Sequence, residues 1–417
     1  MKFKSSRSET DEMVSLSEAL SAGLAPDGGL YLPNKIRKIN AKEGTLAEVA
    51  KQLLQQFFAE DLLKDHLSEI CDDTFSFPCV LSEITPELSH LELFHGPSAA
   101  FKDYGARFLA RCYSYLEQER VILVATSGDT GGAVAAAFDG VKNTKVVILY
   151  PKDGVSPLQE HQLTCWSDNI LSLRVAGTFD DCQKLVKEAF VDCKFKSEYR
   201  LTSANSINIG RLMPQMTYYA HSSLQYFNEK NSRPNYIIPT GNMGNAIACF
   251  WAKAEGLPIG DIYLVTNAND AIPKALESGK LVAKPSVKTL ANAMDVAFPS
   301  NFERYESLQS GTENYQTKSY SVSDEEIKEA MKAAYGDHHL SLCPHTATAY
   351  HIWKKEKIRN AIIVGTAHPA KFQEVSDSIG IKTQLPISLE KILKKEVSVK
   401  DIPASFEALK KYVIDFC

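Results

Sequence analysis

Lys102 is the side chain in this sequence whose type and setting most invite chemistry. It follows the small and turn-forming residues of "HGPSAAFKDYGAR" (His95 to Arg107) and opens a helical pattern. In that pattern Tyr104, Phe108, Cys112 and Leu116 recur every four residues on one apolar face. An ammonium group at the mouth of an apolar helix is costly to desolvate unless it has a partner or a covalent role. The positive end of the helix dipole further disfavours the charged form, which makes the neutral amine available as a nucleophile. The competing reading is a surface lysine whose stem covers apolar surface while its head stays in water.

Three polar turns could meet such an amine. "TSGDTGG" (126–132) has glycines, Gly128 among them, that let backbone approach a ligand. Thr126, Ser127, Asp129 and Thr130 bring polar groups to the start of the next helix. It suits a carboxylate or phosphate, or it is only a tight connection. "PTGNMGN" (239–245) contains Gly241, Asn242, Met243, Gly244 and Asn245 and no Lys or Arg. A neutral loop at a helix N-terminus is what backbone N–H groups need to cradle a phosphate dianion, although a Gly-Asn helix cap has the same composition. Neither the P-loop spacing nor the dinucleotide fingerprint is present. "VGTAHP" places Thr366 at the end of an apolar strand, where its hydroxyl could meet a ring nitrogen or cap the following helix.

The elements around these turns are those of a parallel sheet. "VILVAT", "TKVVILY", "ILSLRVAG", "NYIIPT" and "NAIIVGT" are short apolar runs, each followed by a helical pattern. Thr178 is placed to cap one helix, and Ser323 with Glu326 forms a capping box for another. The first ~90 residues show helical runs such as "TLAEVAKQLLQQFF" without β–α alternation. The segment from Pro285 to Gln316 reads as irregular. We therefore expect an N-terminal region 1–92, an α/β lobe 93–225 and a second α/β lobe 226–417. In open parallel sheets ligands bind at the carboxyl ends of strands, which is where all three turns fall.

Bulk properties narrow the partners. At 417 residues the chain exceeds one small core, and 44% apolar with 23% charged residues is ordinary for a soluble globular protein. A net charge of −5 with no basic block argues against nucleic acid or an anionic membrane as partner. No signal peptide or apolar span is evident, and nine scattered cysteines without a C-x-x-C pair read as reduced thiols in a cytoplasmic protein. His338, His339, Cys343 and His345 fit no common zinc spacing, so no metal is expected. His95, His161 and His368 read as hydrogen-bonded structural histidines. "LEKILKKEVSVKD" reads as a solvated helix face and a loop.

A cation-free phosphate loop, a polar residue for a ring nitrogen and a lysine are together the parts needed to hold pyridoxal phosphate. In order along the chain, "GLAPDGGLYLP", "FHGPSAAFKDYGARF", "ATSGDTGGAVAAAF", "SANSINIGRLMPQ", "PTGNMGN", "CPHTATA" and "GTAHPAKF" resemble the motif blocks of threonine synthases. The resemblance runs from about residue 20 to 375 and is to the bacterial and fungal group. It implies fold type II, the tryptophan-synthase-β-like fold, with pyridoxal phosphate between two open, mainly parallel-sheet lobes and a mainly helical N-terminal region. It further implies that Lys102 links to the cofactor and shuttles the proton at Cα. Residues 241–245 would take the cofactor phosphate, and Thr366 the pyridine nitrogen. Asp129 would lie on the cofactor, and Thr126, Ser127, Gly128 and Thr130 on the substrate carboxylate. Asn205, Ser206 and Asn208 of the stretch 205–208, with Arg211, would meet the substrate phosphate; Arg is the natural fork for such a group.

The implied reaction converts O-phospho-L-homoserine and water to L-threonine and phosphate, in a monomer or homodimer. Two residues depart from related patterns. Asp129 stands where related folds often carry Asn, and an ionised Asp can only accept a hydrogen bond. Cys343 stands where Asp is expected. The alternative activities are a pyridoxal-phosphate phospholyase and a threonine or serine dehydratase. Ser206 and Arg211 separate them, because an unphosphorylated substrate gives these residues no dianion. A non-catalytic binding homologue is the alternative from another class.

Overall fold

The computed structural model describes residues 1–8, 12–166, 169–282, 284–309, 315 and 317–417. Its strands are β1 (Phe3–Ser5), β2 (Tyr31–Pro33), β3 (Val80–Thr85), β4 (Leu88–Glu92), β5 (Arg120–Ala125), β6 (Thr144–Pro151) and β7 (Ile170–Ala176). They continue with β8 (Thr202–Ser203), β9 (Asn235–Pro239), β10 (Ile262–Thr266), β11 (Thr317–Ser321), β12 (Ala361–Gly365) and β13 (Lys400–Pro403). One sheet has the order β13-β7-β6-β5-β8 and is parallel throughout. The other has the order β11-β10-β9-β12-β4-β3 and is parallel except for the β3–β4 hairpin.

Apolar runs in the sequence become the fully buried central strands. Every residue of β5, β10 and β12 is buried, as expected where helices cover both faces of a sheet. Burying each Val, Leu or Ile there contributes about 1.5–3 kcal/mol. Helices follow the strands with their starts fixed by side chains. Thr178 with Asp181 and Ser323 with Glu326 form capping boxes, as do Ser15 with Glu18, Thr45 with Glu48 and Ser156 with Gln159. The apolar face of the helix Lys102–Ser114 is buried, and Leu116 is buried just beyond its end.

Two departures from the expected organisation have physical causes. Residues 80–92 do not stay with the helical N-terminal region: β4 pairs in parallel with β12, and β3 forms the sheet edge. Ser82, Glu83, Ser89 and His90 interrupt these strands, so no apolar run marks them in the sequence. The C-terminal residues do not stay with the second lobe either. β13 pairs with β7, and Leu409 and Val413 of the helix Phe406–Phe416 enter the core beneath the first sheet. In "LEKILKKEVSVKD" the helix Ile387–Ile392 is solvated on one side but buries Leu389 and Ile392. The segment 285–316 contains the helix Phe302–Gln309; its residues 310–314 and 316 lie outside the described residues. Among the described residues no helix is long and apolar enough to cross a membrane. The nine cysteines are free, and six of them are buried.

Candidate active site

The carboxyl ends of β4, β5, β8, β9 and β12 converge on one cleft between the sheets. Lys102 is the first residue of its helix, and the loop before it is laced to the turn after β12. Phe101 N–H donates to the Thr366 carbonyl at 2.9 Å, and His368 N–H to the Ala99 carbonyl at 3.0 Å. This backbone lacing, not side-chain chemistry, sets Lys102 beside Thr366. Gly105, one turn on, is required by a close approach: a Cβ there would lie 2.4 Å from the Arg211 carbonyl oxygen. Burial lowers the Lys102 ammonium to about 8, with Lys371 and Arg211 adding to the effect and Asp129 opposing it.

The turn after β5 divides its tasks. The Thr126 hydroxyl accepts from Gly128 and Gly131 N–H at 3.0 and 2.9 Å and so serves the turn itself. Ser127 and Thr130 line the cleft beside the N-terminus of the helix Asp129–Phe138, which has no side-chain cap. Gly128 makes the turn at φ 132° and does not line the cleft. Asp129 is buried, and its Oδ1 accepts from Gln159 Nε2 at 3.1 Å and lies 2.8 Å from Lys371 Nζ. Burial works to raise this carboxyl, but Lys371 and Lys102 overcome it and hold Asp129 well below the usual carboxylate range. The ionised Asp at this position is therefore an ion-pair partner.

The turn after β9 leads through Met243, in the left-handed region at φ 60°, into the helix Gly244–Ala254. No side chain caps that helix, so its first N–H groups are left for a ligand. Thr240 Oγ1 and Asn245 Nδ2 are buried beside it without partners. Gly241 is needed because a Cβ would lie 2.8 Å from Met294 Cα. Uncharged donors without a cation fit a phosphate dianion, and Lys102 and Thr366 stand at the same cleft, so these residues fit pyridoxal phosphate. Thr366 is not a helix cap. His368 caps the next turn, with Nδ1 accepting from Ala370 N–H at 3.2 Å.

Residues suited to a second anion adjoin the turn after β9. Arg211 is 3% exposed, donates to the Ala204 carbonyl and to the Lys102 carbonyl at 3.4 Å, and keeps Nε without a partner. Burial lowers its pKa to about 10, so it stays charged at neutral pH without an ion pair among the described residues. Ser206 Oγ accepts from Asn242 Nδ2 at 2.7 Å, which leaves its proton free to donate. Asn242 Oδ1 accepts from Ser300 N–H at 2.6 Å, so its side chain bridges loops and only its backbone is free. Asn205 lines the cleft and donates to the Ala125 carbonyl at 3.0 Å. Asn208 does not reach the cleft. Its amide donates to the Leu20 and Ser203 carbonyls and accepts from Gly210 N–H, because it caps a buried helix start.

Three family models match the chain. The family "Pyridoxal-phosphate dependent enzyme" matches residues 86–366, "Threonine synthase N terminus" residues 2–75 and "Threonine synthase, C-terminal" residues 345–413. The threonine synthase of Haemophilus influenzae is 39% identical over 97% of both chains. The chain belongs to the threonine synthase family. Among threonine synthases of known structure, the Escherichia coli crystal structure superposes with a TM-score of 0.92 at 35% identity, covering 100% of both chains. A pyridoxal-phosphate-bound threonine synthase from Brucella melitensis gives 0.91 at 31% identity, covering 100% of this chain and 99% of that one.

Residues that shape this threonine synthase cleft from outside its polar turns become visible only in the fold. His345 lines it, and its Nε2 accepts from Ala293 N–H at 3.1 Å, which pins the loop 292–296 over Gly241. Arg304 is fully buried and donates to the carbonyls of Tyr31, Ser206 and Ile207, fastening the Ser206 loop to the N-terminal region. Cys343 takes the N-cap place before Pro344, its Sγ accepting from Thr346 N–H at 3.5 Å, a place where Asp would also serve. His95 bonds Glu92 at 2.8 Å and His161 the Ile392 carbonyl at 3.0 Å. No metal-binding cluster occurs among the described residues.

Proposed function

We propose that this chain catalyses conversion of O-phospho-L-homoserine and water to L-threonine and phosphate, with pyridoxal phosphate as cofactor. One observation carries the reading: a lysine lines one cleft together with an uncapped, neutral helix start and a buried guanidinium that has an unpartnered Nε. The bound cofactor supplies an electron sink conjugated to the substrate's Cα. The helix start at 244–246, with Thr240 and Asn245, would hold the cofactor phosphate, and Thr366 would serve the ring nitrogen. Ser127, Thr130 and the uncapped helix start at 129 hold the substrate carboxylate. Arg211 and Ser206 take the substrate phosphate and orient it to leave. Lys102 Nζ, with an ordinary ammonium pKa lowered to about 8, accepts and returns the proton at Cα.

A dehydratase acting on unphosphorylated threonine or serine would leave Arg211 buried without a counter-charge, which disfavours that reading. Nine unpaired cysteines suit a reducing, cytoplasmic setting. The test is an assay of the full-length chain with pyridoxal phosphate and O-phospho-L-homoserine. Equimolar threonine and phosphate are expected. Formation of 2-oxobutyrate and ammonia in place of threonine would assign the chain to the phospholyases.

A further inference from the structure

Lys371 has no part in the chemistry so far, yet its side chain is completely buried at the edge of the cleft, with 0% exposure. It lies on the turn Pro369–Phe372 that follows β12. Its Nζ is 2.8 Å from Asp129 Oδ1 and donates to the Ser98 carbonyl at 2.9 Å. Ser98 lies four residues before Lys102, and its N–H donates to Asp103 Oδ2 at 2.9 Å. The same Ser98 carbonyl accepts from Gln162 Nε2 at 3.1 Å, and Gln159 Nε2 donates to Asp129. One ammonium thus joins three chain segments: the loop entering Lys102, the helix start after β5 and the turn after β12. A buried ion pair repays its desolvation only with such added hydrogen bonds.

The next cation acting on Asp129 is Lys102. If Lys371 were absent, Asp129 would have that amine as its counter-ion, and a paired ammonium is not a nucleophile. We infer that Lys371 is a positioning residue: it neutralises Asp129 and fixes Ser98, leaving the Lys102 amine unpaired and reactive at the cofactor site. The inference rests on Lys102 being the reactive amine.

The charged and titratable groups facing Lys102 from neighbouring elements are Asp129, Lys371, Arg211 and His345, with Asp103 behind Ser98. His345 is kept neutral by burial, its pKa lowered to about 4. Removing Lys371 takes away a like charge and releases a carboxylate, and both changes favour the Lys102 ammonium, so its midpoint moves up. Removing the charge of Asp129 moves it down.

The experiment follows modification of Lys102 by a small amine-reactive reagent against pH, in the full-length chain stripped of cofactor, by mass spectrometry. Lys371→Met raises the midpoint by about 1 pH unit or more, and Asp129→Asn lowers it. The double variant returns close to the parent, and Lys371→Arg, which keeps the charge, stays there. Circular dichroism on each sample establishes folding. A folded Lys371→Met with the parental midpoint overturns the inference, as do shifts of the same sign in the two single variants. If Lys371→Met does not fold, an unchanged midpoint in Asp129→Asn overturns it alone. A parent chain in which Lys102 is inert at every pH refutes the reactive-lysine reading itself, a result distinct from all of these.

Discussion

At the β9 end of the cleft the proposed cofactor-phosphate cradle presents backbone N–H groups, a threonine and an asparagine amide; at the β8 end the proposed substrate-phosphate site presents a buried guanidinium and a serine. Both are proposed to receive anions, but their energetics when empty differ. The neutral cradle buries no charge, so even with Thr240 Oγ1 and Asn245 Nδ2 unpartnered it costs less unliganded than a buried cation. Arg211 is a desolvated cation whose burial is offset in part by the Ala204 and Lys102 carbonyls, and its unpartnered Nε leaves the rest for an incoming anion. A charge held this way concentrates binding energy on whichever ligand comes and goes, whereas the neutral cradle suits a resident group. Asn242, in the turn after β9, links the two regions, its amide donating to Ser206 Oγ at 2.7 Å.

The largest effect is expected on the cationic side. Arg211→Met is expected to lower kcat/KM for the phosphorylated substrate by about 10²- to 10³-fold, because a desolvated dianion is left unmatched. Its thermal midpoint should equal or exceed the parent's, since a buried unpaired charge has gone. A melting curve and steady-state kinetics on one preparation check both. Asn245→Asp retains the acceptor oxygen used by Tyr218 and Tyr219 but introduces a negative charge into the neutral cradle. Cofactor affinity should fall by about 10- to 100-fold, read by equilibrium titration with pyridoxal phosphate. The smallest effect is at Ser206. Its alanine variant should raise KM about fivefold with cofactor affinity unchanged, the loss of one hydrogen bond.

The same contrast explains what the sequence disclosed. Lys102, the turns 126–130 and 239–245, and Thr366 are visible because glycines, hydroxyls and amides at strand ends are a local pattern, read without knowing partners. Ser323 and Thr178 were legible as caps for the same reason. Lys371, His345 and Arg304 were not, because each acts on residues far away in sequence: Ser98 for Lys371, Ala293 for His345, Tyr31 for Arg304. Asn208 shows the opposite failure. It sits in the right stretch, but its side chain turns inward to cap a helix, which side-chain type alone does not reveal. The β3–β4 hairpin escaped because its strands carry Ser, His and Glu in place of an apolar run.

Everything proposed for this cleft depends on Lys102 as its reactive amine. Lys102→Ala, purified with pyridoxal phosphate and examined for its absorbance spectrum and its turnover of O-phospho-L-homoserine, tests it most directly. Loss of both the lysine-linked cofactor band and threonine formation is the predicted result. Retention of both would contradict it.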